Sequence, residues 1–242
     1  MPHFYVNPKD IKDKFFVIED EQFHYLSTVR RFAVGDEINI FDGLGNSYKA
    51  RIDSIDRTSM KGAILSSKTF VLPKTNISLY TAIPKGERFD WLIEKAGEIG
   101  VSKIVPVIYL RSVVKELSEN KIERYKKISI SASSQSWRAD IMPIDKPVKF
   151  NEVAEKVSKE KDTLNVLPWE SEENKNILSL LSENKDVKNI NVFIGPEGGF
   201  NKTEIDVAVK NNFKTVTLGK NILRVETAAI VAASILTSIY NV

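Results

Sequence analysis

The chain has 242 residues, 42% hydrophobic and 28% charged, an ordinary globular composition with enough apolar chain for a sizeable core. It has no cysteine and only two histidines, His3 and His24, so disulfides, thiolate metal sites and cysteine nucleophiles are excluded, and neither a metal centre nor a Ser–His–Asp triad is expected. With 35 basic and 32 acidic residues the net charge is +3, too small to indicate a polyanionic partner except through local patches. The opening MPHFYVNPKD has no apolar stretch of signal-peptide length. Lys103–Leu110 and Thr227–Tyr240 fall short of the roughly 20 residues of a membrane span. A cytoplasmic protein without membrane association is expected.

The N-terminal part reads as β structure. Glu37–Asp42 (EINIFD) and Ser47–Ile52 (SYKARI) alternate like strands, with Gly43-Leu44-Gly45-Asn46 as a hairpin connection. Gly62–Phe70 is a further strand, and short strands at this spacing suggest a small barrel. Basic and acidic residues number ten each up to Leu72, so this part is neutral. Leu72-Pro73-Lys74-Thr75-Asn76 reads as a linker that divides the chain into residues 1–72 and 73–242.

Beyond it the pattern alternates between strand and helix. Asn76–Ala82 is a strand and Glu87–Gly100 a helix, with Phe89, Leu92, Ile93 and Ala96 at helical period. Lys103–Tyr109 is a buried strand and Glu119–Arg138 a long helix. Thr163–Leu167, Asn189–Ile194 and Thr215–Leu218 are strands. Asn201 caps the following helix, with Glu204 completing a capping box. Thr227–Tyr240 is the last helix, with Ile230, Val231, Ile235 and Ile239 as its apolar face, either core or a subunit seam. Asp145–Asn189 is rich in lysine and glutamate and is expected to hold mobile surface loops. Alternating elements of this kind imply an α/β domain with a parallel sheet.

Two segments carry possible chemistry. Ile194-Gly195-Pro196-Glu197-Gly198-Gly199-Phe200 follows an apolar strand and precedes a capped helix. In parallel α/β sheets such strand ends hold ligands, and glycines let a ligand approach the main chain. The same residues could equally form a tight strand-to-helix turn. They lack the Gly-Lys-Ser/Thr ending of a phosphate loop. The second segment, Leu218-Gly219-Lys220-Asn221-Ile222-Leu223-Arg224-Val225-Glu226-Thr227-Ala228, places Arg224 and Glu226 among apolar residues. Read alone, it is either a polar-tipped pocket or a loop whose charges form an ion pair or a helix N-terminal carboxylate.

GPEGGF followed about twenty residues later by LGKNILRVETA resembles the RsmE family, uracil-N3 methyltransferases of small-subunit (16S) ribosomal RNA in the SPOUT superfamily. Phe4-Tyr5-Val6, His24 before Val29-Arg30-Arg31, and Asp42-Gly43-Leu44-Gly45 are similar to its N-terminal PUA-like barrel. Lys85-Gly86-Glu87-Arg88, Lys95–Val101, Arg111-Ser112-Val113-Val114 and Gln135-Ser136-Trp137-Arg138 match further along. The family commonly has arginine where His3 stands and glutamates where Ser131 and Ser134 stand.

The resemblance implies an N-terminal PUA-like barrel, a C-terminal α/β domain with a deep trefoil knot, S-adenosylmethionine as methyl donor, and a homodimer acting on ribosomal RNA, with no metal required. It places the cofactor against Leu167, Ile194, Gly195, Pro196, Gly198, Gly199, Leu218, Gly219, Ile222, Leu223, Thr227 and Ala228. Arg224 is the expected stabiliser of charge on the uracil ring. Glu226 would orient Arg224 or accept the N3 proton, and Glu197 is a second candidate base. Arg30, Arg31, Lys85, Arg88, Arg111, Arg138 and Lys220 are candidate RNA contacts. Three other readings remain: a non-catalytic RNA-binding protein on a methyltransferase fold, a ribose 2′-O methyltransferase, and a nucleotide-binding enzyme with GPEGG as its phosphate cradle.

Overall fold

The computed structural model describes residues 3–71, 73–184 and 186–241; Leu72, where the expected linker begins, lies outside the described residues. The chain forms two compact units. One comprises Met1–Leu72 and Ile130–Ile141, the other Pro73–Ser129 and Met142–Val242. The first unit therefore takes in a segment, Ile130–Ile141, that a division at residue 72 leaves in the second.

The first unit is built on strands β1 (His3–Tyr5), β2 (Ile11–Lys12), β3 (Phe15–Glu19), β4 (Glu37–Phe41), β5 (Asn46–Ile55) and β6 (Ser59–Thr69), with a short helix α1 (Asp20–His24) after β3. They form one sheet in the order β1-β4-β5-β6-β3-β2, antiparallel except for β1 beside β4. Register shifts at Lys49/Ala50 and Ile52/Ser54 interrupt the β5–β6 ladder, and such bulges bend and twist a long hairpin. Phe4, Val6, Phe16, Ile18, Leu26, Ile38, Ile40, Ala50, Ile52 and Met60 are packed together as its core. The Gly43–Asn46 connection is held by Asp42, whose Oδ1 accepts the N–H of Leu44 (2.8 Å) and of Asn46 (3.0 Å).

The second unit contains β7 (Asn76–Thr81), α2 (Arg88–Glu98), β8 (Lys103–Ile108), the first part of α3 (Glu119–Ser136), β9 (Val148–Lys149), α4 (Phe150–Val157), β10 (Thr163–Pro168), α5 (Ile177–Glu183), β11 (Asn189–Ile194), α6 (Lys202–Lys210), β12 (Lys214–Val216) and α7 (Val225–Tyr240). Its sheet runs β12-β10-β11-β7-β8-β9, with all pairings parallel. The inner strands are buried along most of their length, as expected of a parallel sheet covered on both faces. Asn165 and Asn191 stand opposite each other in the β10–β11 register. Both are buried, and Asn191 Nδ2 donates to Asn165 Oδ1 at 2.9 Å. A slip in register would strand both amides, so this pair favours one alignment. Among the described residues no helix is long and apolar enough to cross a membrane.

Two expectations are corrected. Asp145–Asn189 contains two helices besides β10, not only loops. In α4, Phe150, Val153, Ala154 and Val157 are buried, at the i, i+3, i+4, i+7 spacing of one helix face, and the lysines and glutamates of that stretch occupy other positions. The last helix begins at Val225, two residues early, so Glu226 lies in its first turn. Its core face is Val225, Ala229, Ala232, Ala233 and Leu236, where alanine permits close packing. Ile230, Val231 and Ile235 are half-buried and Ile239 is exposed.

Candidate active site

Three neighbouring strands, β12, β10 and β11, end on the same side of the parallel sheet, and the loops that leave them enclose a cavity of about 460 Å3. This is the position at which parallel α/β sheets bind ligands, and the volume suits a small molecule. Its walls are Pro168–Glu170 after β10, Ile194–Phe200 after β11, and Thr217–Gly219 with Asn221–Val225 and Ala228 after β12.

The GPEGGF loop is fixed from several sides. Gly199 N–H donates to the Pro196 carbonyl at 2.9 Å, closing a turn. Gly199 has φ +69°, and a Cβ there would stand 2.5 Å from Glu170 Oε1; an L side chain would be both strained and crowded. A Cβ on Gly198 would press on the Arg111 side chain at 3.3 Å. Arg111 Nη1 donates to the Gly198 carbonyl oxygen at 2.8 Å. Glu204, 2% exposed, ties the loop's far end. Its Oε2 accepts Asn201 N–H in the capping box, and its Oε1 accepts Leu110 N–H just beyond β8, each at 2.8 Å.

The loop after β10 is laced to β12. Trp169 N–H donates to Val216 O at 2.9 Å, Thr217 N–H to Lys175 O at 2.7 Å, and Thr215 Oγ1 to Glu172 Oε2 at 2.6 Å. The Thr215 hydroxyl, with the Asn174 and Lys175 N–H groups, holds the Glu172 carboxyl below its ordinary value. Trp169 and Glu170 are thereby presented to the cavity.

Of the expected cofactor residues, Ile194, Gly195, Pro196, Gly198, Gly199, Leu218, Gly219, Ile222, Leu223 and Ala228 line this cavity; Leu167 and Thr227 do not. Leu167 is fully buried in the core, and the cavity takes Pro168, Trp169 and Glu170 from that strand end instead. Phe200, Thr217, Asn221 and Val225 also line it, and sequence reading did not single them out. Ile222 is 88% exposed although it forms part of an apolar wall.

Among the expected catalytic residues, Glu197 and Arg224 line the cavity, both exposed. Arg224 is the N-cap residue of α7. Glu226 does not line the cavity. It is 8% exposed, its Oε1 stands 3.9 Å from Arg88 Nε, and its Oε2 has no hydrogen-bond partner. The ion pair of this carboxylate is thus with α2, not with Arg224. Lys85, Arg88, Arg111 and Lys220 are exposed in the second unit. Arg30 and Arg31 are exposed in the first, where Arg138 is half-buried and pairs with Asp140 at 2.6 Å.

A glycine-lined cavity over the strand ends of a parallel sheet, with one apolar wall and the two carboxylates of Glu170 and Glu197, defines an α/β protein built to hold a small mixed polar and apolar ligand. Residues 72–237 match the RNA methyltransferase domain and residues 18–65 the RNA methyltransferase PUA domain; the chain belongs to this family, among the proteins called ribosomal RNA small subunit methyltransferase E. It is 31% identical to the protein of that name from Synechocystis, over 94% of this chain and 74% of the relative. With that from Mesomycoplasma hyopneumoniae it shares 32%, over 95% and 96%. The crystal structure of the Neisseria gonorrhoeae ribosomal RNA small subunit methyltransferase E bound to S-adenosyl methionine superposes with a TM-score of 0.87 at 29% identity, covering 99% of this chain and 98% of that one.

Proposed function

We propose that this chain methylates N3 of a uridine in the 16S RNA of the small ribosomal subunit, with S-adenosylmethionine bound in the three-loop cavity. The observation that carries the reading is the GPEGGF loop, pinned by Arg111 and Glu204 and facing Leu218–Ala228 across the cavity. The residues present fit the cofactor. Leu218, Ile222 and Leu223 give a flat ring apolar walls, and Glu170 and Glu197 suit hydroxyl and ammonium groups.

The cofactor supplies a methyl group on a sulfonium, already electrophilic. The chain must align the acceptor and manage the uracil N3 proton. As that proton leaves, negative charge spreads onto the ring carbonyls. Arg224, exposed at the cavity rim, is the guanidinium for that charge. Glu226 has a buried oxygen free to accept a proton, and Glu197 is the second candidate base. Lys85, Arg88, Arg111 and Lys220 would receive phosphates of the RNA in the second unit, and Arg30, Arg31 and Arg138 in the first.

The finer architecture follows the same reading. Residues 1–72, with Ile130–Ile141 added, would be a PUA-like RNA-binding barrel, and the remainder a SPOUT domain whose loops after β11 and β12 form a trefoil knot. Two subunits would pair through α7, where the half-buried Ile230, Val231 and Ile235 and the exposed Ile239 offer an apolar stripe. The protein would act in the cytoplasm, on ribosomal RNA. Labelled S-adenosylmethionine, incubated with small subunits that lack the modification and followed by nucleoside mass spectrometry, tests the reading. Label on 3-methyluridine is expected; label on a ribose, or none, overturns it.

A further inference from the structure

Trp137 follows the last residue of α3 with a left-handed φ of +60°, a conformation that a bulky side chain rarely adopts without compensation. Hydrogen bonds on both sides hold it there. Arg138 N–H donates to Ser133 O at 3.1 Å, Gly45 N–H to Ala139 O at 3.0 Å, and Ile141 N–H to Gly43 O at 3.3 Å. One face of the indole lies on the His3 imidazole, centroids 5.2 Å apart and planes 14° from parallel. His3 is itself 1% exposed, backed by Phe41 at 4.5 Å and joined through Nε2 to Ser47 Oγ at 3.0 Å. Trp137 remains 46% exposed. One face of the ring is thus packed, while nearly half of the residue meets solvent.

Charged groups of both signs surround the ring. Arg138 and Asp140 form a largely buried ion pair that braces the segment. His3 is opposite Asn39, Phe41 opposite Ser47, and Ser47 opposite Lys68. Cross-strand partners and residues two apart on a strand share a face, so the exposed Lys68 rises from the face that carries His3. Leu44, 73% exposed, stands in the adjoining bridge to Asp140. Lys68 lies three strands from His3 with its Nζ 4.9 Å over the Phe70 ring, so a pre-packed ring and an exposed ammonium on one face of the sheet suit an unpaired nucleotide strand, a base on the ring and a phosphate on the lysine.

We propose that Trp137 is a stacking platform for an unpaired base of the RNA substrate, with Lys68 as its phosphate contact, in the first unit and sharing no residue with the cofactor cavity. The proposal rests on the reading of RNA as substrate. A fixed ring has little conformational freedom to lose on binding, so stacking on it is efficient.

Anisotropy of a short fluorescein-labelled oligouridylate tests the platform. Trp137→Leu, which keeps apolar volume but has no π-face, is expected to weaken binding about tenfold. Trp137→Phe should stay within about threefold of the parent, and Lys68→Ala should lower the salt slope by about one. Photo-crosslinking of the unaltered protein to 5-iodouridine RNA should map to Trp137, a readout that survives any folding defect of the variants. Equal affinity of Trp137→Leu and the parent, or crosslinks that avoid Trp137, would overturn the proposal. So would a loss seen on assembled subunits but not on free RNA, which would assign the ring to a ribosomal protein. If the parent binds neither oligouridylate nor small subunits, the RNA reading itself falls.

Discussion

Arg88 Nε stands 3.9 Å from Oε1 of Glu226, so the carboxylate in the first turn of α7 faces helix α2 and keeps its other oxygen without a partner. If Glu226 takes the N3 proton, Glu226→Gln should lower turnover at least about 100-fold, the usual scale of general-base catalysis, and leave cofactor affinity unchanged. Arg88→Ala, with half its side chain in solvent, should cost no more than about 1 kcal/mol of stability. Single-turnover methylation and urea unfolding check both. Near-parental turnover of Glu226→Gln would reduce the residue to a helix-end anion and shift the role of base to Glu197.

Arg224→Ala should act on the chemical step. A guanidinium that meets charge only in the transition state contributes to kcat and not to ground-state binding. The expected loss is about 100- to 1000-fold in kcat, with the Kd for S-adenosylmethionine within about threefold of the parent. Equal losses in kcat and cofactor affinity would make Arg224 a cavity wall.

Arg111 separates loop support from RNA contact. Its exposed guanidinium bonds the Gly198 carbonyl, and removal of such a bond is worth about 1 kcal/mol, or about fivefold. Arg111→Ala should therefore weaken S-adenosylmethionine binding by roughly that factor, seen by calorimetry. Unchanged cofactor affinity with weaker RNA binding would restore the role expected from sequence.

His3 gives the first unit a pH dependence. Burial lowers its pKa below the ordinary 6.5, partly offset by the backbone hydrogen bond with Ile40. Between the two values the folded chain binds fewer protons than the unfolded chain, so stability rises with pH there. The contribution is complete above about pH 6.5 and is lost as the pH falls below it. His3→Gln, able to keep a donor on Ser47, should flatten this part of the profile of urea midpoint against pH. The same slope in parent and variant would contradict the assignment.

What could be read in the sequence was what repeats locally. Glycines marked the first loop and charges among apolar residues the second, the continuous apolar run in β11 marked a buried strand, and Asn201 with Glu204 marked a helix start. What escaped depended on tertiary placement. Trp169 and Glu170 sit in a charged stretch that resembles surface, and only the bonds of that loop to β12 present them to the cavity. The second role of Glu204, receiving Leu110 N–H from another strand end, has no local signature. Arg224 and Glu226 are two residues apart, which suggested a pair; the helix begins at Val225 and the ion pair of Glu226 is instead with Arg88. The alanines of α7 face the core, while Ile230 and Ile235 pack against its edge, a division that apolar spacing alone does not resolve.

The central claim is that these three loops hold S-adenosylmethionine, and calorimetric titration of the parent and of Gly199→Ala tests it most directly. Gly199 combines a left-handed backbone with the close approach of Glu170, so a methyl group there distorts the loop without touching the core. Saturable binding by the parent, and a loss of about tenfold or more in Gly199→Ala under conditions where both proteins are folded, is the predicted result. No binding by the parent, or equal affinity of the two proteins, would contradict it.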